Sequence, residues 1–153
     1  MSATSDGAAR VPDVSVVIPS WNSARTIGGC LDALLAQVTT LEYEVLVVDS
    51  GTDDTAEVVR RYAPRVQLIR SPARLFPGPA RNLGLRQARA PLVAFTDTDC
   101  LPDPGWLDAL HRASAGLTAV GGRILNGTPD SLCGTALYLT EFVEFAGVTP
   151  RRY

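Results

Sequence analysis

The chain has 153 residues, 46% of them hydrophobic, enough to bury the core of one domain of ordinary size. Its 14 basic residues, all arginine, stand against 16 acidic ones for a formal charge of −2. With the two signs interleaved, this excludes the basic field of a nucleic-acid binder and any charged tail.

Residues 1–12 are small and polar, lack the apolar core of a signal peptide, and read as a disordered tail. Residues 13–153 then read as one domain, cytoplasmic, with a peripheral position at the inner face of the membrane as the alternative. Val14-Ser15-Val16-Val17-Ile18 is a β-branched run stopped by Pro19, a buried strand. Ile27, Leu31, Leu34, Leu35 and Val38 recur at steps of three and four, which predicts an amphipathic helix over 26–38 capped by Thr26. A second buried strand covers 44–49, a turn 50–54, a helix about 55–62 and a short strand 66–69. Residues 72–79 are rich in Pro and Gly and read as a loop, followed by a helix over 80–90 and a strand at 92–95. The chain turns at 97–104, and helical spacing returns over 105–115. A weaker strand follows at 117–120, and a last helix covers 132–145.

Strands alternating with helices imply a mostly parallel sheet covered on both faces. The most apolar late stretch, 132–148, is interrupted by Thr140, Glu141 and Glu144, too short and too charged to span a bilayer. Cys30, Cys100 and Cys133 show neither a CxxC pair nor zinc spacing and read as free thiols.

In open parallel sheets, ligands bind beyond the carboxyl ends of the strands. Three polar loops sit at such ends: Pro19-Ser20-Trp21-Asn22, residues 49–54, and Asp97-Thr98-Asp99. In the last of these, two carboxylates flank one residue, so both could address a hard cation such as magnesium or manganese while substrate oxygens complete its shell. The plain alternative is that both are turn residues. Trp21 could stack on a base or sit in the core. His111, the only histidine, falls on the polar side of a helix and reads as a solvated surface residue. Cys100 reads as a packing residue rather than a ligand.

The order and spacing of these segments resemble family 2 glycosyltransferases, nucleotide-sugar-dependent enzymes with the fold called GT-A, over nearly the whole chain after residue 12. Val16-Val17-Ile18-Pro19-Ser20-Trp21-Asn22 looks like the family's opening strand and turn. Residues 47–55 are similar to its acidic turn, one residue shorter than the common form. Pro79-Ala80-Arg81-Asn82-Leu83-Gly84 resembles its Ala-Arg-Asn segment, and residues 92–100 the strand entering its metal motif. The resemblance implies a Rossmann-like nucleotide-sugar-binding half and a UDP- or GDP-linked donor, with hexosyl transfer to an unknown acceptor. By the same resemblance Pro19, Asn22 and Asp49 would line the base pocket, and Arg81 would meet the base or a phosphate. Asp97 would meet the ribose or the metal, and Asp99 would be the main metal ligand.

By the same resemblance, inverting members need a carboxylate to deprotonate the acceptor hydroxyl, and none is found. Glu141 and Glu144, three residues apart, read as neighbours on a solvated helix face. The chain therefore resembles the donor-binding half of such an enzyme, incomplete at its C-terminus. A binding module without turnover is the alternative. A dinucleotide fold loses ground, because Pro19-Ser20-Trp21-Asn22 stands where its GxGxxG would be.

Overall fold

The computed structural model describes residues 10–142. Most of the expected tail, the end of the expected last helix and Glu144 lie outside these residues. In chain order the elements are β1 (Val14–Ser20), α1 (Ile27–Leu35), β2 (Tyr43–Asp49), α2 (Thr55–Arg60), β3 (Val66–Arg70), α3 (Pro77–Leu85), β4 (Leu92–Phe95), α4 (Trp106–Ala113) and α5 (Leu132–Glu141). The four strands form one sheet, every pair parallel, in the order β3-β2-β1-β4. This is the α/β architecture expected from the alternation of strands and helices. No helix among the described residues is long and apolar enough to cross a membrane.

The chain divides after His111 into two compact units. In the first, β1 is paired on both sides and covered on both faces, so nearly every position is buried. Val14, Val16 and Ile18 pack with Val45 and Val47 of β2 and with Ile27, Cys30, Leu31 and Leu34 of α1. On the other face α3 approaches so closely that a Cβ on Gly84 would meet Val48 at 3.1 Å and Val17 closer still. In the second unit α5 is capped by Ser131, whose Oγ accepts the Gly134 N–H at 3.1 Å. Tyr138 donates its hydroxyl to the Ile124 carbonyl at 2.9 Å.

Several boundaries differ from the sequence expectation, each for a physical reason. β1 continues through Pro19 to Ser20. Thr96 N–H donates to the Val17 carbonyl and Ser50 N–H to that of Ser20, so odd positions of β1 face β4 and even ones face β2. Pro19 thus faces β4 past the end of its pairing at Phe95, where no ladder bond is lost. α3 begins at Pro77 rather than at Ala80, because the first turn of a helix needs no N–H partner and tolerates proline. α1 stops at Leu35. Val38 instead is exposed and donates its N–H to the Pro104 carbonyl. Thr26 precedes α1 but makes no side-chain cap; its hydroxyl turns back to the Ser23 carbonyl. The expected strand at 117–120 does not form, since the described residues of its unit contain no strand to pair with.

At the opposite end of the sheet, Ser15 sits buried in β1 and donates to Glu44 Oε1 at 2.6 Å. Glu44 also accepts from the Arg89 N–H at 2.8 Å and the Arg89 side chain at 2.9 Å, which ties the approach to β4 onto β2. Burial alone would push this carboxyl up, but the bonds from Ser15 and Arg89 together hold it below its ordinary value.

Two outcomes follow. Gly84→Ala lowers stability by about 1–3 kcal/mol through overpacking against Val17 and Val48, read from the urea midpoint. Because the folded-state pKa of Glu44 is depressed, its contribution is present above the unfolded pKa and lost as the pH falls through the folded one. Glu44→Gln therefore removes part of the acid-side fall in stability, checked by urea titrations from neutral to acidic pH.

Candidate functional site

The β1–β2 register sets Ser20 opposite Asp49, so the loops that leave the two strands start side by side. They are laced together by side chains. Asn22, held at φ +52°, accepts the N–H groups of Thr52 at 2.8 Å and Asp53 at 3.3 Å on its Oδ1. Asp53 returns the contact: Oδ2 accepts the Ala24 N–H at 3.1 Å, and Oδ1 takes both the N–H and the hydroxyl of Thr55. Thr55 Oγ1 in turn accepts the Ser23 N–H at 2.8 Å. Desolvation would raise the Asp53 pKa, but the bonds from Thr55 and Ala24 outweigh it and keep the carboxyl below its ordinary value. Gly51 is required where the loops meet, since a Cβ there would lie 2.6 Å from the Asn22 nitrogen. The third loop joins through Thr98, whose hydroxyl donates to Ser23 Oγ at 3.0 Å.

A cleft opens among these loops. Pro19, Leu75, Pro77 and Ala80 line it with Trp21, while Ser20, Ser23, Asp97 and Thr98 add polar atoms. Of the six residues expected at the site, Pro19 and Asp97 are therefore at the cleft. Arg81 reaches it through an ion pair with Asp97 at 2.6 Å. Asp99 is exposed on the same turn. Asp49 is fully buried, paired with Arg70 and accepting the Gly51 N–H at 3.1 Å, while Asn22 is engaged in the lacing. Trp21 is 45% exposed rather than in the core, and the Arg74 guanidinium lies 3.9 Å from its ring centre.

Beneath the turn, the buried Cys30 thiol donates to the Asp97 carbonyl at 3.4 Å. Burial first, then the neighbouring Cys100, Asp99 and Asp97, push its pKa up to about 12. Cys100 is exposed, so the packing role expected of it belongs to Cys30; all three cysteines are free thiols. His111 is exposed, and so is Glu141 at the end of α5.

No group of three or more His, Cys, Asp or Glu side chains among the described residues could hold a metal. Asp97 and Asp99 offer two carboxylates, the first of them paired with Arg81. That set suits a cation of the magnesium or manganese kind, which is commonly held by one or two carboxylates together with substrate phosphates.

Residues 15–131 match the family described as Glycosyl transferase family 2. The chain belongs to that family. As a family 2 member it is 35% identical over 121 residues to the glycosyltransferase AglE of Haloferax volcanii, covering 74% of this chain and 40% of that protein. Among solved structures it is similar to TarS residues 1–349 of Staphylococcus aureus in complex with UDP, with 28% identity and a TM-score of 0.63. That match covers 75% of this chain and 37% of the other. The mannosyltransferase PcManGT of Pyrobaculum calidifontis, in complex with GDP-Man and Mn2+, aligns at 31% identity and a TM-score of 0.62. It covers 80% of this chain and 38% of that one, so the chain spans about two-fifths of the length of these relatives.

Asp53, Ser20, Arg70 and Arg74 were not among the residues expected at the site. Only Asp53 carried a local signal, an Asp two residues ahead of a Thr that opens a helix, which is capping chemistry. The lacing is testable at Asn22. Asn22→Gly keeps the left-handed backbone and loses the two accepted bonds; Asn22→Ala loses them and adds backbone strain of about 1 kcal/mol. Thermal unfolding should rank the wild type above Asn22→Gly and that above Asn22→Ala.

Proposed function

We propose that the first unit binds the nucleoside diphosphate of a UDP- or GDP-linked sugar together with Mn2+ or Mg2+, in the service of hexosyl transfer to an acceptor. The observation that carries this reading is the placement of Asp97-Thr98-Asp99. The turn follows a strand of a parallel sheet, and its Asp97 and Thr98 line a cleft with Pro19 and Trp21. Family membership supports it, as do the UDP bound in TarS and the GDP-mannose with Mn2+ in PcManGT.

In this reading Asp99 is the main metal ligand and Asp97 the second, addressing ribose or metal. A bound cation supplies charge to stabilise the departing diphosphate. Pro19 lines the nucleoside pocket. Asn22 and Asp49 shape it through the loops they hold, and Arg81 brings a cation to the phosphate side once its pairing with Asp97 is exchanged for the ligand.

Calorimetry with UDP and GDP, with and without Mn2+, tests the reading. One nucleotide is expected to bind with a metal-dependent affinity, and Asp99→Ala to remove the metal-dependent part. No metal-dependent binding of either nucleotide would sink the proposal, and an unchanged Asp99→Ala titration would return that residue to a turn role. Release of free sugar from the donor is the separate readout that distinguishes turnover from binding alone.

A further inference from the structure

Two walls of the cleft, Ser20 with Trp21 and Leu75, are tied to one short segment, Asp49-Ser50-Gly51. Ser50 donates its N–H to the Ser20 carbonyl and accepts the Leu75 N–H on its Oγ, both at 3.1 Å. Gly51 packs against Asn22, the residue after Trp21. All three residues of the segment are buried, and none of them lines the cleft. The walls therefore stand where this segment stands.

The segment itself is held from β3. Arg70, the last residue of that strand, is in register with Asp49 and does not line the cleft either. One arm of its guanidinium pairs with the buried Asp49 carboxylate, and the other donates to the Gly51 carbonyl at 3.1 Å. Asp49 closes the ring by accepting the Gly51 N–H at 3.1 Å. A buried carboxylate requires a partner, so folding alone explains the first arm. It does not explain the second. That bond fixes the orientation of one peptide group where the two loops touch, and only a planar fork lets a single side chain make both contacts.

We infer that Arg70 is a positioning residue for the nucleoside of the donor, acting through Gly51 and Ser50 on the cleft walls and not by touching the ligand. The inference rests on the donor-site reading above. Lysine supplies the charge for Asp49 from a single point and gives up the fork, so it separates the pairing arm from the positioning arm.

Calorimetry on the full chain with Mn2+ present compares Arg70→Lys with the wild type. Affinity for the nucleotide that the wild type binds, UDP or GDP, is expected to fall roughly three- to tenfold, the effect of one lost hydrogen bond. Affinity for inorganic pyrophosphate stays unchanged. The melting temperature stays above that of Arg70→Ala, which leaves the buried Asp49 charge without its cation. Glu44→Ala, at the opposite end of the sheet, lowers the melting temperature through the lost Ser15 and Arg89 bonds and leaves nucleotide affinity as it was. Unchanged nucleotide affinity in Arg70→Lys overturns the inference alone and leaves Arg70 a structural partner of Asp49. A parallel loss for pyrophosphate overturns it in favour of direct contact between Arg70 and the diphosphate, and an equal loss in Glu44→Ala overturns it as a general effect of stability. A wild type that binds neither nucleotide removes the donor-site reading and this inference together.

Discussion

The seven-residue parallel register between β1 and β2 is the constraint on which the rest of the first unit depends. Parallel strands cannot be joined by a tight turn, so each connection must cross over, and every strand then ends at the same edge of the sheet. The register sets Ser20 beside Asp49 and leaves no slack between their loops. A slip of one residue would turn Val14, Val16 and Ile18 away from α1, so burial of those side chains fixes the alignment of the polar ends. The apolar core thus decides where the carboxylates stand.

At that edge β1 outlasts β4 by three residues, which is what opens the cleft. Pro19 can occupy this overhang because its missing N–H faces the side where pairing has ended. The loops from β1 and β2 are then held to each other by Asn22, Asp53 and Thr55, and the third loop is joined through Ser23 and Thr98. Polar side chains that satisfy loop backbone give the site a shape before any ligand enters. The tight approach of α3 at Gly84 supports the same edge from below, placing Ala80 at the cleft and Arg81 against Asp97.

Much of this was legible in the sequence. Runs such as Val45-Leu46-Val47-Val48 admit little but a buried strand, and a strand that ends in Pro19 or Asp49 announces where its polar loop begins. The three loops at one sheet edge follow from topology alone. What could not be read depends on distance through space. That Asp49 is matched by Arg70 and that Asn22 serves loop backbone are facts about neighbours 20 or more residues away. The error at α3 was local: Pro77 and Pro79 suggested a loop, although a first helical turn accommodates both. The error at 117–120 was the reverse, an apolar run with no strand beside it.

The Arg81–Asp97 pair supplies the turn with an internal counter-ion. A cation approaching alone meets a carboxylate that already has a partner, and a phosphate approaching alone meets a guanidinium that is already engaged. Under the donor-site reading proposed above, whichever of the two arrives first would release the group that the other needs. Under that same reading, thermodynamic reciprocity would raise the two affinities by the same factor and couple the anion to the cation.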